Sequence, residues 1–414
     1  MDPREAFFGG RTNCRFMHWK AKEGEKISYI DICSLYPWVC KYGRFPVGHP
    51  EIITENFQDI RNRPYNGLIK CRVLPPQHLL HPVLPNRMDK KLLFHLCRTC
   101  ANLRFNGECS HTPEERSFWG AWASCELYKA MDMGYEVLEL AEVYHYPEWE
   151  QYDPANGNGG LFTEYINCFL KIKQEASGWP DWVKTDEDKQ TYIKQYKDRE
   201  GIDLDIDKIA YNGGLRMLAK LMLNSFWGKF GQRSDMTKTE YFKDSAKYLK
   251  LMLDDTVQVT GILEVHDQMM AVTYRSLEEF VVELENANPT IAAWVTAQAR
   301  LKLYSYLEPL GDRVLYMDTD SVIYVDRPGD TYHPPIGDFL GDMTDEEPNA
   351  VITEFVSAGP KQYAYSYVKD GKEGAAIKIR GFTLDHAASD ILNFHTLKNK
   401  VINYLESGRE EKGK

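Results

Sequence analysis

The sequence predicts an α+β protein organised round an antiparallel sheet, and three observations lead to that class. A short β-prone run, Lys26-Ile-Ser-Tyr-Ile-Asp31, stands near the start of the chain. Two more, Arg313-Val-Leu-Tyr-Met317 and Ser-Val-Ile-Tyr-Val325, lie far down the chain and flank Asp318-Thr-Asp320, the pattern of a hairpin with its tip at the acidic pair. Between them run segments with helical spacing, so strands and helices mix without an internal repeat. At 414 residues the chain is long enough for two or three lobes.

Taken in order, Lys26 to Asp31 reads as a buried strand that delivers Asp31 to a cleft and ends in the turn-forming Ser-Leu-Tyr-Pro37. From Pro46 to Pro85, proline and glycine are frequent, and pieces such as Gly67-Leu-Ile-Lys-Cys-Arg-Val73 predict irregular β structure. Residues 117–133 have a helical composition with spaced aromatics and reach Gly134, a C-terminal cap. Asn156-Gly-Asn-Gly-Gly160 is a loop, followed by a helix from Leu161 to about Ala176. Charge dominates from Gly178 to Asp207, where an exposed helix is expected. Leu215, Leu218, Met222 and Phe226 give residues 208–230 a helical period, and after some short β-prone pieces a further helix runs from about Pro289 to Tyr306.

Hydrophobic residues at 43% and charged residues at 27% are ordinary for a globular protein, and no apolar run is long enough to span a bilayer, so a membrane role has no support. The N-terminus lacks the apolar stretch of a secretory signal, and nine scattered cysteines fit a reducing compartment, so the chain reads as intracellular. A net charge of −11 is unexpected for a nucleic-acid binder, yet between Lys208 and Lys250 nine bases face three acids, a local excess of +6.

The chemistry is carried by carboxylates and cations. Asp31 at one strand end, and Asp318 with Asp320 at a hairpin, are separate sources of carboxylate that can converge on one sheet face. Phosphoryl transfer needs such convergence, because two hard divalent cations take oxygen ligands from few protein residues plus substrate phosphates. A single Asp at a strand end is more often a turn residue. Arg216 lies four residues before Lys220 and Lys208 twelve before it, so on one helix the three would share a broad face fit for a triphosphate. Separately, Cys97-x-x-Cys100 is followed after eight residues by Cys109-x-His111, the spacing of a structural Zn²⁺ site, with a cluster of ordinary reduced cysteines as the alternative.

Three longer strings narrow the reading. Asp31-Ile-Cys-Ser-Leu-Tyr36-Pro37 and Tyr316-Met-Asp318-Thr-Asp320-Ser321 resemble motifs A and C of the B-family DNA polymerases, Asp-x-x-Ser-Leu-Tyr-Pro and Tyr-x-Asp-Thr-Asp-Ser. Lys220-Leu-Met-Leu-Asn224-Ser225-Phe-Trp227-Gly228 resembles motif B, Lys-x-x-x-Asn-Ser-x-Tyr-Gly, in the family's order. The resemblance implies that Asp31 and Asp320 hold two Mg²⁺ ions, with Mn²⁺ as a substitute, and that Asp318 supports them. Ser34, Leu35 and Tyr36 would receive the triphosphate, Tyr36 would exclude a 2′-hydroxyl, and Lys208, Arg216, Lys220 and Asn224 would line the nucleotide pocket. Phe7-Phe-Gly9-Gly10 resembles a Tyr-x-Gly-Gly segment that contacts the template. Thr296-Ala-Gln-Ala-Arg300 and Lys361-Gln-Tyr363 resemble two DNA-contacting segments of the protein-primed branch, and with Ser225, Trp227, Gly228 and Thr319 these complete the primer-template contacts. The 189 residues from Asp31 to Lys220 leave room for the insertion typical of that branch, and Val47-Gly-His-Pro-Glu51 and the cysteine insert look most like its Maverick/Polinton transposon members.

The implied fold is a right hand. Residues 1–26 are a template-contacting lead-in, 27–80 the first part of the palm, 81–155 the insertion with the zinc knot, 156–235 the fingers, 236–384 the second part of the palm and 385–414 a partial thumb. The implied partners are primer-template DNA, dNTPs and a terminal protein primer, in a nucleus or viral factory. Trp227 stands where the family usually has Tyr, and Phe7 where it has Tyr. The chain is expected to lack proofreading, because it starts at the Gly-Gly segment, and to have weak processivity. A remnant that binds DNA without catalysis is the rival from another class. A reverse transcriptase is disfavoured because Thr319 separates the two aspartates.

Overall fold

The computed structural model describes residues 1–105, 107–282, 284–382 and 385–407. Its largest sheet has nine strands, all paired antiparallel. Across it the order is Thr12–Cys14, Val314–Asp318, Ser321–Asp326, Lys26–Ile32, Ala350–Gly359, Gln362–Lys369 and Lys372–Ile379, with Met343–Asp345 on the Lys26–Ile32 strand and His18–Lys20 on Ala350–Gly359. The Lys26–Ile32 strand is covered on both faces: Ile27 and Tyr29 pack with Ile323, Val325 and Phe355, while Ile30 and Ile32 join the larger core. Ile27, Tyr29, Ile30 and Ile32 are accordingly all buried, while Lys26 is exposed and Ser28 and Asp31 are half-buried.

The larger core is completed by the helix Pro289–Leu310. Asn288 caps it, its side chain accepting from the Ile291 N–H at 3.1 Å. The sequence places its end near Tyr306; it runs one turn further, to Gly311 at φ +58°.

Residues 117–133 are not one helix. Phe118–Ala123 is a strand paired with Gly67–Leu74, and the helix is Ser124–Asp132. Aromatics suit a half-buried pleated surface, and pairing puts Phe118 and Trp122 in a second core beside Ile69, Cys71 and Val73. Gly134, at φ +89°, follows the helix end as expected. The four-stranded sheet so formed runs Glu51–Ile53, Glu136–His145, Gly67–Leu74, Phe118–Ala123. Residues 51–53 and 67–74 therefore hydrogen-bond with strands of the 81–155 segment and not with the Asp31 sheet. Likewise Lys238–Phe242, Met269–Ser276 and Val257–His266 form a three-stranded sheet of their own.

Helices Thr163–Glu175 and Gly213–Ser225 pack side by side. On the second, Ala219 and Leu223 are buried, whereas Leu215 and Leu218 face solvent, so the apolar period marks the helix but not its buried side. Asp186–Glu200, expected to be exposed, buries Tyr192, Tyr196 and Glu200, the last paired with the buried Lys41. The helix Phe394–Ser407 sets Phe394 on Val356 and Ala364; the rest of the helix expected to reach Lys414 lies outside the described residues. No helix among the described residues is long and apolar enough to cross a membrane.

Candidate active site

Asp31 sits where the central strand is flanked on both sides, with Ser321 and Thr344 as its register partners. The Ile32 N–H donates to the Asp320 carbonyl at 2.8 Å, which fixes the hairpin tip against the end of that strand. In the tip itself the Asp320 N–H closes on the Asp318 carbonyl at 2.6 Å, with Thr319 between them at φ +61°. A β-branched residue is strained there by about 1–3 kcal/mol and must be held. The Thr319 N–H donates to the Arg11 carbonyl at 2.7 Å, and a Cβ on Gly10 would stand 2.7 Å from the Thr319 side chain. Glycine at 10 is thus a condition of the turn.

The preceding carbonyls, of Phe8 and Gly9, accept from Arg300 at 3.0 and 2.9 Å. Arg300 is buried and also grips Glu126 through two bonds of 2.7 and 2.8 Å. Thr296 is fully buried, its hydroxyl donating to backbone carbonyls of its own helix. Both side chains, expected from sequence at the primer-template, are turned inward onto the protein's own groups. Their string has the right composition, but Glu126 and the Phe8-Gly9 backbone have taken the guanidinium. Arg300 positions the Gly-Gly segment.

A cleft of about 1100 Å³ opens over the three aspartates. Its walls bring together Ser34, Leu35, Tyr36, Arg216, Lys220, Asn224, Trp227, Thr319, Lys361 and Tyr363. Ser34, at φ +52°, turns the chain from the Asp31 strand into the helix Leu35–Tyr42. Tyr36 stacks on Trp227, ring centroids 4.3 Å apart and 23° between planes. Burial pushes the Tyr36 phenol up to about 12, so it stays neutral. Lys208 is not part of the cleft: Asn212 caps the helix after it, and Lys208 pairs with Asp205 at 3.1 Å in a separate turn. Ser225 and Gly228 line a second cavity of about 860 Å³ with Lys229 and Arg233, while Gly9 is open, no atom lying within 4 Å of a Cβ built there.

Four charged wall residues carry no signal in the sequence as site residues: Lys173, Glu346, Lys378 and Arg380. No string marks Glu346; its N–H is tied to the Tyr29 carbonyl at 2.9 Å, a contact made only by folding. Lys378 donates to the Tyr29 hydroxyl at 2.9 Å, which in turn meets the Tyr363 hydroxyl at 2.8 Å. Six cations and four carboxylates line the cleft, so it is locally positive inside an acidic chain.

The carboxylates are not equivalent. Asp318 accepts from the Thr12 and Thr319 hydroxyls at 2.9 and 3.1 Å and from the Lys361 ammonium. No side chain hydrogen-bonds the carboxylates of Asp31 and Asp320 among the described residues. Burial, then the charges of Asp320 and Glu346, push the Asp31 carboxyl up to about 8; burial, then Asp318, pushes Asp320 up to about 6. Away from the cleft, the ligand atoms of Cys97, Cys100, Cys109 and His111 lie within 4.8 Å of one another.

Residues 2–189 and 206–309 match the family described as DNA polymerase type B, organellar and viral. Among similar proteins are a probable DNA polymerase of Neurospora intermedia, 25% identical over 87% of this chain and 31% of its own length, and the DNA polymerase of Bacillus phage phi29, 29% identical over 77% of this chain and 41% of its own. The chain therefore spans about a third to two fifths of these relatives. In structure it is similar to phi29 DNA polymerase complexed with primer-template DNA and incoming nucleotide substrates, with a TM-score of 0.59 at 18% identity, covering 96% of this chain and 57% of that one.

Proposed function

The chain belongs to the DNA polymerases of type B, organellar and viral, and has an α+β right-hand polymerase fold; from this we propose that its cleft adds deoxynucleotides to a primer 3′-hydroxyl under direction of a DNA template. The observation that carries the proposal is the meeting of Asp31, Asp318 and Asp320 with Arg216, Lys220 and Asn224, from three distant stretches, in one cleft.

Half-buried carboxylates that repel each other and, among the described residues, have no side-chain hydrogen-bond partner fit divalent cations. Asp31 and Asp320 would hold two ions of the magnesium class, which would supply the positive charge that stabilises the attacking and leaving oxygens. Asp318, engaged by Lys361 and Thr12, keeps the hairpin tip in place, and Glu346 adds negative charge beside Asp31. Arg216 and Lys220, with Lys173 from the neighbouring helix, would take the triphosphate, Arg through its planar fork and Lys as a point charge. Leu35 and Tyr36 open a helix, so their N–H groups have no acceptor within it and add donors at the same place. Tyr36, stiffened by Trp227, would lie beneath the sugar and leave no room for a 2′-hydroxyl. Lys361 and Tyr363 would contact the primer, and the bare backbone at Gly9 the template.

The test is extension of a primed DNA template by dNTPs with Mg²⁺, comparing the protein with its Asp31→Ala, Asp320→Ala double variant. Template-directed extension that disappears in the variant supports the proposal. A folded protein that binds primer-template and extends nothing would overturn it in favour of binding without catalysis.

A further inference from the structure

Beyond the polymerase reading and independent of it, we infer that Cys97, Cys100, Cys109 and His111 form a structural tetrahedral Zn²⁺ site. Three sulfurs surround one nitrogen: His111 Nδ1 lies 3.6 Å from Cys97 Sγ, 3.3 Å from Cys100 Sγ and 3.5 Å from Cys109 Sγ. Hydrogen bonding does not account for this, since one imidazole nitrogen has a single proton or a single lone pair and serves one sulfur well. A shared cation does. With Zn–S of about 2.3 Å and Zn–N of about 2.0–2.1 Å at tetrahedral angles, S···N separations come to roughly 3.5–3.6 Å.

Two further observations concern what surrounds the ligands. The Cys100 N–H donates to Cys97 Sγ at 3.3 Å, and the Phe105 N–H to the Cys100 carbonyl at 2.9 Å, so the CxxC stretch is wound tightly about the first sulfur; amide donors to sulfur favour the thiolate a metal needs. The second is the lack of any other reason for the segment to be ordered. From Arg98 to Thr112 no described residue is buried; the helix Arg98–Leu103 has no core side, and Leu103 and Phe105 are exposed. A stretch that buries so little apolar surface cannot offset the entropy of ordering its backbone, and a metal clip is the usual remedy. All four positions are filled by protein, which makes the site structural and leaves no coordination place for a substrate.

The site anchors the rim of the second core. Gln77 donates to the Cys109 carbonyl at 3.1 Å and Thr99 to the Glu115 carbonyl at 2.8 Å, while Arg72 and Glu114 pair across from strand to insert.

Metal analysis of the whole chain, purified reduced and without added metal, should find about one zinc per chain, against less than a tenth of that in the Cys100→Ser, Cys109→Ser double variant. Because that variant can lose its local fold for other reasons, the intact protein is also exchanged with Co²⁺. Thiolate-to-cobalt charge transfer with the d–d bands of a tetrahedral ion confirms the ligand set. Reduced, folded protein that holds no zinc and gives no such bands overturns the inference, as does a double variant that retains full zinc.

Discussion

Glu126 and Asp31 are both carboxylates withdrawn from water, and their surroundings differ completely. Glu126 meets Arg300 through two bonds, and the remaining guanidinium nitrogen donates to the Phe8 and Gly9 carbonyls. Asp31 faces Asp320 and Glu346, which Lys378 and Lys220 only partly offset. Matched charge of the first kind is architecture, since it satisfies itself. Unmatched charge of the second kind is unfavourable in the free protein and is relieved by taking up a proton or a metal cation from outside.

The widest separation between the two comes from removing them. The Asp31→Ala, Asp320→Ala variant should lose primer extension by about 10³-fold or more, with a melting temperature equal to or above that of the parent; a large fall in melting temperature would break the comparison. Glu126→Ala should do the reverse, stranding a buried guanidinium at a cost of about 3–5 kcal/mol in urea unfolding, whereas Glu126→Leu with Arg300→Met should recover most of it. If the single and the double variant are equally unstable, the pair is not matched in the sense argued. Arg216→Ala or Lys220→Ala should each raise the KM for dNTP by roughly 10- to 100-fold in steady-state kinetics.

A smaller effect sharpens the contrast through pH. In metal-free protein the Asp31 carboxyl, at about 8, titrates above its unfolded value. The folded state therefore holds an extra proton between about pH 4 and pH 8, and stability is lost as pH rises through that window. Asp31→Asn has no such loss, so in EDTA it should melt a few °C above the parent at pH 8.5, by about 1 kcal/mol or more, with the gap closing toward pH 4. Scanning calorimetry across that range would show a constant gap if the Asp31 carboxyl titrated in the folded protein at its unfolded value. Least affected should be Lys208→Ala, within about 0.5 kcal/mol in stability and unchanged in KM for dNTP, because Lys208 lies outside the cleft.

What could be read in the sequence follows from how locally each feature is specified. Asp31, Tyr36, Lys220, Asn224, Asp318 and Asp320 lie in short strings whose elements form as the strings suggest, and the cleft gathers all six. The inward engagement of Arg300 is not legible locally, because it depends on Glu126, 174 positions away, which no local pattern links to it. Lys208 falls away from Arg216 and Lys220 because the helical period does not run through Asn212, whose side chain starts the helix anew. Phe118–Ala123 has a helix-compatible composition, and only the Gly67–Leu74 strand beside it decides for β. Glu346 enters the site through a backbone bond to Tyr29, a contact between segments more than 300 residues apart.

The register of the central strand also governs the timing of folding. Lys26–Ile32 takes its partners from Ser321–Asp326, Met343–Asp345 and Ala350–Gly359, so during synthesis it emerges long before anything it pairs with. At about 5–20 residues per second, the interval from Asp31 to Ser321 is roughly 15–60 s. Through that time a strand with three isoleucines and a tyrosine has both edges unpaired and open to wrong partners. The topology that brings Asp31 beside Asp320 thus makes the nascent chain a client for whatever shields exposed strands in the cell.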